Sequence, residues 1–300
     1  MIMTTATARQ NEHMELPPRT SEFRRFLRVF LSRKIVIVGS IIIFALLLVA
    51  VFAPLIAPHN PIQQNLWETL QKPSGKHLLG TDHLGRDVLS RITYGSRISL
   101  AVGIVSVGIA GGFGMLLGLL AGYFGGIVDT VIMRCMDALL AIPPLVLALA
   151  IGAALGGGLS SVMISLGIAL LPTYARLIRG QVLSVKQTDY IMAARVVGCS
   201  DLRIIMLHVF PNCLPPIIVL VTLNLGFAIL AEAGLSFLGL GIAPPAAAWG
   251  AMVNDGYKYL LTNPVLSFAP GLCIFLVVLA FNLAGDGLRD ALDPRLRGTI

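Results

Sequence analysis

The sequence predicts an all-α integral membrane protein with six transmembrane helices. Hydrophobic residues make up 56% of the 300 residues and charged residues only 12%, and the mean hydropathy is +0.85. Soluble globular domains contain about 25% charged residues. Six apolar stretches are each long enough for a helix of the roughly 20 residues that cross a bilayer. The composition therefore excludes an ordinary water-soluble domain.

These spans divide the chain into five regions. A first helix is predicted at Ile35 to Ala57, after an N-terminal segment, 1–34, in which no apolar stretch of a cleaved signal peptide is recognised. A polar segment, 58–97, precedes a membrane core at 98–285, and a tail follows at 286–300. Within the core the predicted spans are Ile98 to Tyr123, Ile127 to Leu155, Ser160 to Ile178, Leu214 to Ala233 and Leu266 to Ala284.

The distribution of Lys and Arg sets the predicted orientation. Six spans place both ends on one side, and most of the 22 basic residues fall in segments on that side, including a run before the first span: Arg24, Arg25, Arg28, Arg33 and Lys34. Loops rich in Lys and Arg stay in the cytoplasm. Both termini are therefore predicted to be cytoplasmic and the 58–97 segment extracytoplasmic. The basic residues of that segment oppose the bias, and we expect Asp82 and Asp87 to be their partners.

The second predicted span carries glycines at helical spacing: Gly108, Gly112, Gly114, Gly118 and Gly122. Small residues let two helices approach closely in lipid, where no hydrophobic driving force holds helices together. We therefore expect this face to pack on another helix. The alternative, a phosphate-binding loop, is disfavoured because the chain contains no Gly-Lys-Ser/Thr motif.

Charged residues within the predicted spans are candidates for a transport pathway or gate. Asp129, Arg134 and Asp137 lie near the cytoplasmic end of the third span, and Arg134 and Asp137 occupy neighbouring positions on a helix. They form either a structural ion pair or a contact to a substrate. Glu232, at the end of the fifth span, either faces the pathway or pairs locally near the outer interface.

Proline and glycine mark breaks in the helical pattern. Pro143 and Pro144 are expected to bend the third span, and the glycines at 156–158 to form the turn that leaves it. The loop from Gly239 to Thr262 contains Pro244, Pro245, Trp249 and Tyr257, and it is predicted to be a short re-entrant or interfacial segment with an aromatic anchor.

Residue patterns argue against several functions. The cysteines show no CxxC spacing and lie in or beside apolar stretches, so they are predicted to be core residues. His59, His77 and His83 are scattered without the spacing of metal ligands. No Ser/His/Asp, HExxH or paired-carboxylate arrangement is recognised. We therefore predict no catalytic residue, no metal site and no cofactor, and we attribute the net charge of +7 to membrane orientation, not to nucleic acid.

The longest polar interruption between apolar stretches runs from Leu183 to Asn212 and predicts two short helices joined by a glycine. Ala193 and Ala194 favour the first helix, and Gly198 suits a left-handed cap at its end. Ser200 is a good N-cap for the second helix.

The second helix of this loop is predicted to run from Asp201 toward Val209, with Pro211 marking the turn into the next span. An apolar stripe at the spacing of one helix face is formed by Leu202, Ile205, Met206 and Val209. Such a stripe requires a groove, either in the membrane domain of this protein or in a partner subunit.

This loop resembles the cytoplasmic EAA loop of ABC-importer permeases. Its spacing is matched by Ala193, Ala194, Gly198 and Pro211, and the family pattern is not matched at Met192, His208 and Phe210. Three further stretches carry the resemblance: Leu79 to Leu100, Leu235 to Met252 and Phe281 to Gly298. From about Phe23 onward, the chain resembles the second permease subunit of the dipeptide/oligopeptide/nickel class of ABC importers.

The resemblance implies a type I ABC importer permease fold in the bacterial cytoplasmic (inner) membrane. The implied partners are a homologous second permease subunit, two cytoplasmic ATPase subunits that hold ATP and Mg²⁺, an extracytoplasmic substrate-binding protein and membrane lipid. In that family the second helix of the loop lies in a groove of the ATPase subunit, so Gly198 to Asn212 is expected to be the coupling element. Peptides are the expected cargo, with nickel or glutathione as alternatives.

A secondary transporter or channel without ATPase partners is the alternative from another class. Such proteins carry acidic or His residues in the middle of their spans and interrupted helices in repeated halves. Apart from Glu232, the predicted spans lack these residues, which favours the importer subunit.

Overall fold

The computed structural model describes residues 30–292, and this part of the chain is all-α, as the sequence predicts. Its one extended pairing is an isolated bridge between Thr81 and Asp87. Five of its helices are long and apolar enough to cross a membrane, or six if one bent pair forms a single span. Residues 1–29 and 293–300, which include the basic run up to Arg28 and most of the predicted C-terminal tail, lie outside the described residues.

Most of the apolar helices extend beyond the spans predicted from hydropathy. They and the connecting helices are α1 (Lys34–Val51), α2 (Val88–Phe124), α3 (Gly126–Leu140), α4 (Pro144–Ala154), α5 (Leu159–Val185), α6 (Asp189–Val196), α7 (Asp201–Phe237), α8 (Trp249–Tyr257) and α9 (Val265–Leu292). A short helical turn, Ala53–Ile56, continues α1. The largest buried apolar cluster joins α1, α2, α7, α8 and α9.

The start of α2 differs most from the prediction, since the helix begins at Val88 and not at Ile98. Asp87 caps it, because its carboxylate accepts a hydrogen bond from the Ser90 backbone N–H at 2.8 Å. The first turns of α2 are polar yet buried, and Arg91 is only 3% exposed. Hydropathy assigns such residues to a loop. The polar segment between α1 and α2 is therefore 57–87, and we refer to it as the α1–α2 segment.

A bent pair of helices, α3 and α4, replaces the single span predicted at Ile127 to Leu155. The two helices meet at 90°. Pro143 and Pro144 cause the break, because neither has a backbone N–H and the residue before a proline is pushed toward extended backbone. The predicted glycine turn after α4 is confirmed: all three glycines at 156–158 have positive φ, and the N–H of Gly158 donates to the Gly241 carbonyl at 3.2 Å.

In the described part of the chain, the most extensive contact between two helices is that of α2 and α5. Three of the five predicted glycines of α2 face α5: Gly114, Gly118 and Gly122. A Cβ atom on Gly118 would lie 2.5 Å from the carbonyl oxygen of Ala175, and one on Gly122 would lie 2.7 Å from the Cβ of Val182. No side chain fits at these distances without moving the α5 backbone. The predicted packing role is confirmed for these three glycines, but it is wrong within this chain for Gly108 and Gly112, around which a Cβ would meet nothing within 4 Å.

The loop between α7 and α9 forms a partly buried helix, α8, whose two aromatic residues lie in different environments. Trp249 is 2% exposed, and its Nε1–H donates to the carbonyl of Ile92 at 2.9 Å. The indole fits because α2 has Gly95 beside it, where a Cβ would lie 2.6 Å from the ring. Trp249 is therefore a core residue and not an anchor at the membrane interface. Tyr257 is exposed.

Alanine at Gly118 should destabilise the protein, whereas alanine at Gly112 should not. The added methyl group at Gly118 overlaps backbone atoms of α5, and such overpacking costs about 1–3 kcal/mol. At Gly112 the methyl group meets open space, and alanine is the better helix former. Thermal unfolding of the purified chain in detergent measures both variants. Equal unfolding midpoints for the two variants would contradict the packing argument.

Candidate functional site

The loop between α5 and α7 contains the helix, the glycine and the second helix that the sequence predicts. α6 ends at Val196, and Gly198 has φ +82. The N–H of Gly198 donates to the Arg195 carbonyl at 2.9 Å, and the N–H of Cys199 donates to the Ala194 carbonyl at 3.0 Å, which satisfies the end of α6. Ser200 is the N-cap residue of the next helix, as predicted, and has the extended backbone of an N-cap, although its side chain makes no capping hydrogen bond.

The predicted turn at Pro211 is also wrong, because α7 runs from Asp201 to Phe237 without a turn. Residues Ile205–Val209 are π-helical, and the N–H of Phe210 donates to the carbonyl of Ile205. Pro211 then occupies the first turn of the following α-helical part, where a proline needs no N–H partner. The loop helix and the apolar helix that follows are thus one element.

The loop is held to the membrane helices by a buried apolar cluster. Ile191 of α6 and Ile204 and Val209 of α7 are fully buried. They belong to one cluster with Ile178 and Val182 of α5. Because both helices of the loop contribute to this cluster, they are fixed to the end of α5 and to each other.

Tyr123, at the end of α2, connects four elements of this site. Its hydroxyl donates to the Asp201 carboxylate at 2.5 Å, and its backbone carbonyl accepts from Lys186 Nζ at 2.6 Å. Lys186 Nζ and the Arg195 guanidinium carbon lie 5.5 and 5.7 Å from the centre of its ring. Burial, and after it the charge of Arg195, lower the pKa of Lys186. No sequence motif marks Tyr123, although it lies directly after the last glycine of the packing face.

The predicted apolar stripe of α7 is divided between two environments. Val209 is fully buried and Ile205 is partly buried, whereas Leu202 is 71% exposed and Met206 is 53% exposed. The fully buried residue Ile204 lies outside the stripe. Exposed apolar side chains continue onto the α6–α7 connection. We call this set the exposed loop face: Val196, Val197, Leu202 and Met206.

Three of the four charged residues predicted as a pathway or gate, Asp129, Arg134 and Asp137, lie on α3, where it faces α5. Asp129 accepts two hydrogen bonds from Arg179, at 2.5 and 2.6 Å. Asp137 lies 2.5 Å from Arg176, whereas Arg134, its predicted partner, is 4.0 Å away and 81% exposed along its side chain. The predicted Arg134–Asp137 pair is therefore secondary to ion pairs between helices, which sequence spacing along one helix does not reveal.

Glu232 is fully buried in α7. Its Oε1 accepts a hydrogen bond from the Ser236 hydroxyl at 2.7 Å, and its Oε2 has no hydrogen-bond partner among the described residues. A groove of about 480 Å³ is lined by its neighbours Ala231 and Ala233 but not by Glu232. Local pairing, the second of the two alternatives, is thus what the geometry favours.

An open groove of about 580 Å³ lies between α5, α7 and α9. Most of its lining is apolar, including Pro215 and Pro216 of α7, and three polar side chains face it: Gln181, Asn212 and Arg289. The sequence analysis did not group these residues, because they lie on three helices that are distant along the chain.

Polar residues of the α1–α2 segment are paired in part as predicted. Asp82 accepts from Arg86 Nε at 2.6 Å and lies 3.5 Å from Arg91 Nε. Asp87 pairs with no Lys or Arg among the described residues, and it is hydrogen-bonded to His77 at 2.9 Å. His59 lies beside them, with its ring centre 4.6 Å from that of His77. The description of these histidines as scattered is therefore wrong for His59 and His77.

Comparison with protein families gives two matches. Residues 114–298 match the model of the binding-protein-dependent transport system inner membrane component, and residues 21–73 match that of the N-terminal transmembrane domain of oligopeptide transport permease C.

Curated relatives are similar over most of the chain. A dipeptide transport system permease protein of Alkalihalophilus pseudofirmus is 45% identical over 277 residues, 92% of this chain and 91% of that protein. A glutathione transport system permease protein of Pectobacterium atrosepticum is 43% identical, covering 92% of both chains. A probable D,D-dipeptide transport system permease protein of Escherichia coli is 45% identical, covering 87% of this chain and 88% of that one.

Among solved structures, an inward-facing form of the MetNI methionine ABC transporter is similar in fold. The match has a TM-score of 0.56 and 20% identity, and it covers 68% of this chain and 97% of that one. At this identity the similarity supports the fold alone.

Replacing Tyr123 with phenylalanine should loosen the loop. The variant keeps the ring between Lys186 and Arg195 but loses the hydrogen bond to Asp201. One such bond contributes about 1 kcal/mol, or roughly a fivefold change in a local opening equilibrium. Hydrogen–deuterium exchange of peptides covering 189–204 should become faster by that factor.

Tyr190→Phe is the matched control, since its hydroxyl belongs to the same loop but is exposed and accepts only from Asn212 at 3.2 Å. Its exchange should stay close to that of the unmodified protein. Equal exchange rates in the Tyr123 variant and the unmodified protein would refute the role given to Tyr123.

Proposed function

The chain belongs to the family of binding-protein-dependent transport system inner membrane components, and we propose from this that it is the transmembrane permease subunit of an ATP-driven importer of di- or oligopeptides. The observation that carries the proposal is the exposed loop face, which lies on two helices that a buried apolar cluster fixes to the end of α5. Apolar side chains of this size are expected to be covered by a partner. The chain forms half of the translocation path and is not an enzyme by itself.

The proposed topology has six spans in the bacterial inner membrane, with α3 and α4 counted as one. Both termini and the loop at 183–212 are cytoplasmic, and the α1–α2 segment is extracytoplasmic. The proposed regions are 1–34, the first helix at 35–57, the extracytoplasmic loop at 58–97, the core at 98–285 and the tail at 286–300, with the start of α2 inside the extracytoplasmic region. The abundance of Lys and Arg on the cytoplasmic side supports this orientation.

The proposed partners follow from the family. A homologous permease subunit completes the path, two cytoplasmic ATPase subunits hold ATP and Mg²⁺, and an extracytoplasmic binding protein delivers the cargo. The groove between α5, α7 and α9 is open along the surface of this chain, so it is the surface that we assign to the path or to the second permease. No cofactor is assigned to this chain.

Energy enters through the exposed loop face in this mechanism. Nucleotide can shift the protein between outward-open and inward-open states only through different binding energies in the two states. Leu202 and Met206 contact the ATPase, and the coupling set also includes Ala193, Ala194, Gly198, Ser200, Asp201, Ile205 and Pro211. Movement at Leu202 and Met206 moves α7 directly, because both residues belong to that helix, and it reaches α2 through Tyr123 and Asp201.

The ion pairs between α3 and α5 suit a gate that holds the inner ends of these helices together. Asp129 and Asp137 each pair with an arginine of α5. Because these groups are partly exposed, such pairs are individually weak and can exchange partners when the helices move. Arg134 is exposed and available as an alternative partner of Asp137.

Peptide cargo is supported by the printed names of the dipeptide and D,D-dipeptide permease relatives. The glutathione permease relative is similar to nearly the same extent, and glutathione is itself a modified peptide. Nickel remains the alternative within the family. The grooves are large and mostly apolar in their lining, as expected for a path that makes few specific contacts.

Aspartate at both Leu202 and Met206 should abolish binding of the ATPase subunits. Placing charges in an apolar interface costs about 3 kcal/mol or more, which is about a hundredfold in affinity. Co-purification of the chain with its co-expressed ATPase subunits should be lost, and ATP-dependent uptake with it.

Leu261→Asp is the control, because Leu261 is 99% exposed and lies in the connection between α8 and α9, away from the loop. It should co-purify normally, and all variants should insert into the membrane. ATPase retention by the double aspartate variant would refute the docking proposal, and ATP-independent uptake would favour a secondary transporter.

Cells that express the chain with its partner subunits should accumulate a radiolabelled dipeptide. Excess unlabelled di- and tripeptides should compete with this uptake, whereas Ni²⁺ should not. Uptake of labelled nickel without uptake of peptide would instead support the nickel alternative. A strain that lacks only this subunit gives the background.

A further inference from the structure

Two histidines and an aspartate meet in the α1–α2 segment, outside the loop that carries the proposed function. His59 follows α1, His77 lies in the middle of the segment, and Asp87 caps α2. One ligand atom from each lies within 4.8 Å of the others. Asp87 Oδ1 is 2.9 Å from His77 Nδ1 and 3.7 Å from His59 Nδ1.

Asp87 divides its two oxygens between two tasks. Oδ2 accepts from the backbone N–H and the hydroxyl of Ser90, at 2.8 and 2.7 Å. These bonds fix the carboxylate, so Oδ1 points at the two imidazoles. The first turn of α2 therefore positions one oxygen ligand without needing it for the helix cap.

The nitrogen atoms of the histidines are incompletely satisfied. His59 Nδ1 and His77 Nε2 are buried and have no hydrogen-bond partner among the described residues. His77 faces a carboxylate at both ends, Asp87 at Nδ1 and Glu68 at 3.5 Å from Nε2. A neutral imidazole has only one N–H, so it can donate to one of these carboxylates and not to both.

A metal ion would resolve this arrangement. Bound to His77 Nδ1, it would leave the N–H on Nε2, directed at Glu68, which is the carboxylate–histidine–metal arrangement that orients many metal ligands. The lone pair of His59 Nδ1 would gain a partner as well. Two imidazoles and a carboxylate suit Zn²⁺ and similar divalent transition metals, and they do not suit Ca²⁺ or Mg²⁺, which prefer oxygen ligands.

Two of the three side chains are buried, and the third is accessible from solvent. The side chain of His77 is 5% exposed and that of Asp87 is 1% exposed, while that of His59 is 36% exposed. An open cleft of about 180 Å³ borders all three residues, and its polar rim is formed by Asn60, Gln63, Asn65 and the ion pair of Glu68 with Lys76. An ion can therefore enter from the cleft, and solvent can complete its coordination.

We propose that His59, His77 and Asp87 bind one divalent transition-metal ion, with Zn²⁺ as the representative. The ion is a resident of the structure and is not cargo. It joins three parts of the chain that are distant in sequence: the end of the first helix, the middle of the α1–α2 segment and the start of α2. The proposed site departs from the expectation of no metal site in the chain, and it does not depend on the identity of the cargo.

The test compares the metal content of three proteins, each purified without a polyhistidine tag and together with its co-expressed partner subunits. The unmodified chain, His59→Ala and His83→Ala are exposed to Zn²⁺, freed of loosely bound ion by dialysis and analysed by mass spectrometry. His83→Ala is the matched control, because it removes a histidine of the same segment that stacks on Tyr259 at 6.3 Å and does not belong to the cluster.

The His59 variant should hold one Zn²⁺ per chain less than both other proteins. Zinc in the partner subunits is common to all three and cancels. Zn²⁺ should also raise the thermal unfolding midpoint of the unmodified chain and of His83→Ala, with no such rise in His59→Ala. Equal zinc content in all three proteins would overturn the proposal.

Co²⁺ provides a second measurement that does not depend on stability. The d–d absorbance of the unmodified chain and of His83→Ala should be higher than that of His59→Ala. The difference should correspond to one bound Co²⁺ per chain. Because His59 is partly exposed, its replacement leaves the buried His77–Asp87 pair in place, so the variant is expected to fold. Identical Co²⁺ spectra for the three proteins would also overturn the proposal.

Discussion

Contact between the backbones of α2 and α5 is the constraint on which the rest of the structure depends. Lipid supplies no hydrophobic drive for helix association, so close packing has to hold the pair together. The glycines of α2 allow that approach. The same two helices end beside each other at the loop, where Tyr123 of α2 meets Lys186 just after α5. The position of the loop is thus set by packing inside the membrane region.

Charged groups hold the two ends of the α2–α5 pair in different ways. At the loop end, α3 is joined to α5 by ion pairs that are partly exposed. At the other end, Arg91 and Arg86 are buried with Asp82, and Arg91 Nη1 also reaches the carbonyl of Pro61 at 3.2 Å. Buried charge pairs are costly to separate, whereas exposed pairs exchange readily. The structure therefore combines a rigid start of α2 with an adaptable joint between α3 and α5.

Sequence alone predicted the features that depend on local chemistry. The apolar stretches, the left-handed cap at Gly198, the glycine turn after α4 and the packing face of α2 all follow from residue type and helical spacing. Features that depend on tertiary contact were missed or wrong. Arg91 looks like a loop residue until its buried partners are known, and Trp249 looks like an interface anchor until Gly95 is seen beside it. His59 and His77 meet only because the α1–α2 segment folds back on the start of α2.

The continuity of α7 has a mechanical consequence. At about 1.5 Å of rise per residue, its 37 residues extend over about 55 Å. A rod of that length, tilted by about 5° at one end, moves its far end by about 5 Å. In the proposed importer, a small displacement of the loop on the ATPase would become a movement as wide as a peptide backbone across the membrane. The far end of the helix therefore moves farther than the loop does, so the ATPase subunits need to move the loop over only a short distance.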